Sequence, residues 1–235
     1  MQKKEYYKHN LPHFQQPGQA YFVTWSLKDA VPKHALQHFA NKLEILRSQI
    51  KTDLADSFSG LADSDPPLEK ESRFGDRETK IEKLKNKYNL LKKRYIKAYN
   101  DLLDVQLNPY VDLSKPENTE IIINALKYWE DKKLKNHAFC VMPNHVHWVF
   151  ELFEKDVEGN PVYLQDIMCS VKRFSANEIN KLENRSGSLW QKESFDTTIR
   201  DGKHLYYAVE YTLTNPVKAG FVSDWRDWPG CWNAE

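Results

Sequence analysis

The sequence predicts an α+β fold, an antiparallel sheet with helices packed on one side of it. Three observations carry that expectation. Strand-like segments, rich in β-branched and aromatic residues, are interspersed with segments whose apolar residues recur every three or four positions, in the order strand, helices, strand, strand, helix, strand, helix. Two of the strand-like runs are separated only by Pro143-Asn144, a turn signal that makes them an antiparallel hairpin. No internal repeat is present, which excludes a solenoid.

Taken in order, AYFVTWSL at 20–27 follows the turn signal Pro17-Gly18 and reads as the first strand of the sheet. Leu36, Phe39, Leu43, Leu46 and Ile50 form the stripe of an amphipathic helix that ends near Lys51. Residues 52–77 hold Asp, Ser, Gly and the pair Pro66-Pro67 with few large apolar groups, which predicts an exposed, mobile connection. The stripe resumes through Ile81, Leu84, Tyr88, Leu91, Tyr95, Ala98 and Leu102 in an unbroken heptad register. The two stripes predict an antiparallel helical hairpin, inserted at about 34–104 in a single domain spanning 1–235. Its other faces carry Lys80, Lys83, Lys85, Lys87, Lys92, Lys93, Arg94 and Lys97, the only strong charge cluster in the chain. A phosphate backbone would suit that cluster, but a Lys-rich face that simply solvates its helix is the better reading.

A helix follows from about Asn118 to Glu130, with Ser114 or Asn118 as its cap and Ile122, Leu126 and Trp129 on one face. His137–Met142 and His145–Leu152 are the two arms of the hairpin. Residues 163–183 return to helical spacing, with Leu164, Ile167, Met168, Val171, Phe174 and Ile179 inward and Lys172, Arg173 and Lys181 outward. Trp190–Ile199 is short and extended, and His204 to about Asn215 forms a last helix stopped by Pro216.

A chain of 235 residues, 40% hydrophobic and 13% aromatic, has ample material for one buried core. The net charge of +1 gives no ground for inferring a nucleic-acid partner from overall balance, so any such surface must be local. Three cysteines without a CxxC pair suggest neither a disulfide framework nor a thiolate zinc site. The polar N-terminus lacks a signal-peptide pattern, and no run approaches about 18 apolar residues, so the expectation is a soluble protein of the reducing cytoplasm, with no membrane partner.

The chemistry-bearing residues lie near the end of the chain. His145 and His147 flank Val146 in a predicted strand, where alternate side chains share a face, so both imidazoles can reach one metal ion. By itself a strand HxH is a weak signal, since paired histidines on a sheet are often merely packed or solvated. On the last helix Tyr211 and Asn215 are four apart and share a face, which brings a phenol and an oxygen-donating amide together. For an arbitrary helix, Tyr206, Tyr207 and Tyr211 are more simply core or boundary aromatics.

MPNHVHWVF at 142–150, VKRFSANEINK at 171–181, LWQKESFDTTIRD at 189–201 and VEYTLTNPVKAGFV at 209–222 resemble, in order and spacing, the REP-associated tyrosine transposases, a single-tyrosine group of HUH endonucleases. The opening PHFQQPGQAYFVTWSL resembles that group's N-terminal strand, and the likeness covers residues 11–28 and 100–229. It implies a ferredoxin-like antiparallel sheet with flanking helices. It implies that His145 and His147 hold Mg²⁺ or Mn²⁺, that Tyr211 is the nucleophile, and that Asn215 is a third ligand, although some relatives place a different polar residue there. The helical hairpin is absent from the shortest members, so the resemblance says nothing of its role.

The function implied is single-strand cleavage and strand transfer beside imperfect hairpins of repetitive extragenic elements, through a 5′-phosphotyrosine. Lys172, Arg173, Arg200 and Lys203 are candidate phosphate contacts, and Trp190 is a candidate stacking platform or a core residue. Two other classes compete: a hairpin-binding regulator that does not cleave, and a metal-dependent phosphodiesterase that activates water. The chain is expected to act as a monomer or a homodimer.

Overall fold

The computed structural model describes residues 6–8, 12–14, 16–32, 34–59, 67–105 and 109–234. The chain divides into two compact units, one of Met1–Ala30 with Leu103–Glu235 and the other of Val31–Leu102.

The first unit holds a short hairpin, β1 (Tyr6–Lys8) with β2 (Pro12–Phe14), and a five-stranded sheet. The sheet is built from β3 (Ala20–Ser26), β4 (Leu134–Val141), β5 (His145–Leu152), β6 (Phe195–Thr198) and β7 (Cys231–Asn233) in the order β6-β3-β5-β4-β7, with every pairing antiparallel. Helix α3 (Pro116–Lys127) lies between β3 and β4, and helix α4 (Leu164–Leu182) between β5 and β6. Each helix therefore links two strands that are separated in the sheet by a third. This is the split β-α-β arrangement of the ferredoxin-like plan, extended at one edge by β7. Helix α5 (Gly202–Lys218) precedes β7.

The expectation of helices on one side is corrected. Trp25, Phe139, Trp148 and Phe150 point to the face covered by α3 and α4, where Asn136 Nδ2 donates to the Leu126 carbonyl and the Trp190 indole packs against Trp25. Ala138, Val149 and Phe22 point the other way, into a cluster with Ala208, Leu213, Leu205 and Val209 of α5. The physical reason is that β5 is buried at His145–Phe150 without interruption, and a strand buried on both faces needs a cover on each.

Local boundaries also differ. Helix α3 begins with Pro116 at its first turn and has no side-chain cap; Asn118 is instead buried inside it, donating to the Asp112 carbonyl and to Glu183. Phe174 is 49% exposed, not inward. Pro216 sits inside α5 rather than ending it, because a proline in the last turn removes a single N–H and the helix closes beyond it, with Ala219 N–H donating to the Asn215 carbonyl. Gly220, at φ 76°, provides the left-handed exit.

The second unit contains helix α1 (Gln37–Ser59) and most of helix α2 (Pro67–Val105). Phe39 packs edge-on against Tyr95, and Asp53 pairs with Lys80 at 3.0 Å, so the two helices run antiparallel. Helix α1 continues past Lys51 to Ser59, and residues 67–77 are helical; the remainder of the expected connection, 60–66, lies outside the described residues. Leu36, Leu43, Leu46 and Ile81 are buried, while Lys83, Lys85, Lys87, Lys93, Arg94 and Lys97 are exposed, as an amphipathic stripe requires.

Candidate active site

The β3–β5 register places Thr24 directly opposite His147 and Ser26 opposite His145, so the two imidazoles rise from the centre of the sheet under α5. Both are sealed from solvent, at 1% and 0% exposure. Their Nε2 atoms are 3.0 Å apart with the rings crossed at 80°. Burial pushes the His145 pKa down to about 3 and, together with the neighbouring His145 and the Lys218 ammonium, holds His147 well below its ordinary value. Both rings are therefore neutral at physiological pH, the form in which an imidazole nitrogen donates to a metal.

The surrounding hydrogen bonds orient one of them. Asn144 Nδ2 donates to the Leu103 carbonyl at 2.9 Å, which turns its Oδ1 toward His145 Nδ1 at 2.6 Å. An amide oxygen only accepts, so Nδ1 carries the proton and the lone pair of His145 Nε2 points into the cluster. Thr24 Oγ1 lies 2.8 Å from His147 Nδ1 and holds the orientation of that ring, a hydroxyl being able to donate or accept there. Phe22 packs on the other side of His147 at 5.7 Å between centroids.

Helix α5 supplies the rest. Asp201 caps it by accepting from the His204 N–H at 2.7 Å, and the four-residue spacing then puts Tyr211 and Asn215 on the side facing the sheet. The Tyr211 ring meets His147 edge-on at 5.3 Å and Phe22 at 5.8 Å. The Lys218 ammonium lies 4.7 Å above the Tyr211 ring. Asn215 is 1% exposed; its Nδ2 is 3.0 Å from His147 Nε2, and among the described residues its Oδ1 has no hydrogen-bond partner.

A buried amide oxygen without a donor is costly and calls for an explanation. The atom held against His147 Nε2 is the Asn215 amide nitrogen; turned over about its terminal bond, the amide would bring Oδ1 to that place, beside two neutral imidazole nitrogens. The donor set fits a divalent ion that accepts nitrogen and oxygen ligands. It contains no carboxylate, and among the described residues no group of three or more His, Cys, Asp or Glu converges on a metal position.

The structure thus brings His145, His147, Tyr211 and Asn215 together. The other sequence-derived candidates lie apart from them. Trp190 is buried, donates to Ser175 Oγ at 3.1 Å and packs against Trp25 on the opposite face, so it is a core residue rather than a stacking platform. Lys172 does not point outward: its amine is tied to the Gln191 carbonyl at 2.7 Å and to Ser194 Oγ at 3.2 Å, and burial brings its pKa down to about 8. Arg173 is exposed on α4, and Arg200 and Lys203 are exposed at the start of α5. A cleft of about 420 Å³ beside Lys172 and Arg173 opens on the α4 side and contains none of the four converging residues. Residues not singled out from sequence are Thr24, Asn144, Phe22 and Lys218. Asn144 was legible only as a turn residue, and Thr24 needed the strand register.

No family model matches the chain. A REP-associated tyrosine transposase of Escherichia coli K12 is 28% identical over 104 residues, 44% of this chain and 57% of the relative. A Haemophilus influenzae protein provisionally named as a REP-associated tyrosine transposase is 30% identical over 97 residues, 39% of this chain and 54% of the relative. The chain thus spans a little over half the length of these curated relatives. A solved structure of a REP-associated tyrosine transposase bound to a REP hairpin shares 15% identity at a TM-score of 0.42, covering 93% of this chain and 79% of that one, a likeness too slight to bear on the chemistry. The chain is similar to REP-associated tyrosine transposases.

Proposed function

We propose that this protein is a transposase-like enzyme that cleaves and rejoins single-stranded DNA beside hairpins, with Tyr211 as nucleophile and with His145, His147 and Asn215 holding Mg²⁺ or Mn²⁺. The observation that carries the proposal is the convergence of two neutral Nε2 atoms, the Asn215 amide and the Tyr211 ring under α5. Similarity to REP-associated tyrosine transposases supports the DNA partner and the choice of tyrosine chemistry. A divalent ion bound there supplies positive charge that polarises a phosphate and steadies the charge developing in the reaction.

The protein's own residues then have separable tasks. His145 and His147, fixed by Asn144 and Thr24, present their lone pairs in a preset geometry. Tyr211 directs its phenol oxygen at phosphorus; the bond from phosphorus to the 3′-oxygen breaks, the phenol proton passes to solvent, and the 3′-oxygen takes up a proton. The products are a 5′-phosphotyrosine and a 3′-hydroxyl, so one phosphodiester is exchanged for another and rejoining requires no ATP. The Lys218 ammonium adds positive charge beside the phenol and the incoming phosphate. Tyr211 stands against His147 of its own chain, so one polypeptide holds the whole cluster.

The test is a denaturing gel of the protein incubated with single-stranded hairpin DNA and Mg²⁺ or Mn²⁺. A covalent adduct forms with the native sequence and is abolished by Tyr211→Phe, while hairpin binding stays within a few-fold. Cleavage that yields free 5′-phosphate ends and no adduct supports water activation instead, and binding without any cleavage supports a regulator.

A further inference from the structure

Cys140 and Cys231 are direct partners in the antiparallel pairing of β4 with β7. The Val141 N–H donates to the Gly230 carbonyl at 2.9 Å and the Ala234 N–H to the His137 carbonyl at 2.9 Å. Hydrogen-bonded pairs alternate along such a ladder, so the cysteine pair occupies the intervening, non-hydrogen-bonded position, where side chains approach most closely. Cα atoms there are about 4.5 Å apart, inside the range of about 4.4–6.8 Å that a disulfide spans. Gly230 permits the approach, since a Cβ there would run into the Val141 carbonyl.

We infer that Cys140 and Cys231 form an oxidant-responsive cross-strand disulfide beneath the helix that carries Tyr211 and Asn215. Cys231 is half-buried and Cys140 fully buried, so a hydroperoxide reaches Cys231 first. Its thiolate takes an oxygen from the peroxide, giving a sulfenic acid and an alcohol or water. The Cys140 sulfur then attacks that sulfur, a water molecule leaves, and the S–S bond closes. The bridge lies next to both halves of the candidate site. Cys140 is the cross-strand partner of His147, and Cys231 Sγ is 3.9 Å from the Leu213 carbonyl of α5. A Cys231 sulfur bonded to Cys140 is tied to the strand pair, which competes with that helix contact. Closing the bond therefore alters the packing between the imidazoles and the Tyr211 helix; this effect on activity rests on the function proposed above.

The experiment treats the full chain with hydrogen peroxide, blocks remaining thiols with N-ethylmaleimide and maps the peptides by mass. The expected result is a Cys140–Cys231 cross-link that dithiothreitol reverses, in the native sequence and in Cys169→Ser, and no such link in Cys231→Ser. Three blocked thiols, a bridge made only by Cys169 between two chains, or over-oxidised Cys231 beside a blocked Cys140 overturns the assignment. DNA adduct yield is read in parallel. A several-fold, reversible fall in Cys169→Ser that is absent in Cys231→Ser supports the regulatory consequence, and an unchanged yield in the bridged protein overturns it. If no adduct forms even in reduced protein, the nuclease reading fails, while the peptide map still decides the bridge.

Discussion

Successive residues of β5 face opposite ways, and the two faces of this one sheet are built on different physical terms. Toward α3 and α4, Trp148 stacks on Phe150 at 3.8 Å, meets Trp25 edge-on at 6.2 Å and donates its indole N–H to Asn136 at 2.6 Å. Toward α5, at the end that carries the imidazoles, the same depth of burial holds two uncharged histidines and an amide oxygen with no partner. The first face gains stability from aromatic contact area. The second forgoes some of that gain to hold polar nitrogens and an amide at close quarters, as expected of a binding site rather than of a core.

The largest expected effect breaks the comparison at its centre. His147→Ala should reduce DNA adduct formation about a thousandfold or more, because the remaining imidazole and amide cannot preset the same charge. A quantitative adduct time course checks this, and near-native rates would return the histidines to ordinary packing. On the opposite face, Trp148→Ala should destabilise the fold by about 3–5 kcal/mol, the usual cost of emptying a buried tryptophan position. Urea unfolding followed by fluorescence measures it, and a loss below about 1 kcal/mol would show that the aromatic face is not where stability resides.

A pH series sharpens the contrast. Without added metal, folded His145 stays neutral down to about pH 3, whereas the unfolded chain binds a proton near 6.5. The depressed value means that this contribution to stability is fully present above about pH 6.5 and is lost as pH falls toward 3. Its slope is at most about 1.4 kcal/mol per pH unit. Urea midpoints of the native sequence and of His145→Gln between pH 7 and 5 isolate it; parallel curves would mean that the imidazole is not sealed. The smallest effect belongs to Thr24→Val, which removes the hydroxyl from His147 Nδ1 and should weaken Mn²⁺ binding about tenfold in calorimetry.

Much of this site was legible because its parts are local. His145 and His147 share a face by strand periodicity, and Tyr211 and Asn215 share one by helical spacing, both facts of chain geometry. The hairpin at Pro143-Asn144 was equally plain, since a short polar turn separates two β-rich runs. What failed was of another kind. Trp190 and Lys172 look alike from sequence whether they meet solvent or the interior, and both turn inward because the 187–196 segment folds back over α4. Pro216 reads from sequence as a stop because proline usually ends a helix, yet it costs only a single hydrogen bond in a final turn.

Which residues travel together along each element can be read from the residues alone, since backbone periodicity acts over a few positions and needs no partner. It took the packed fold to show that the histidine face of β5 lies under α5, that Thr24 and Asn144 orient the imidazoles, and that Cys140 faces Cys231 across a strand pair. Except for Asn144 and His145, which are adjacent, those relations join residues dozens of positions apart in the chain. They follow from strand register and layer order, which the burial of the whole core selects rather than any local segment.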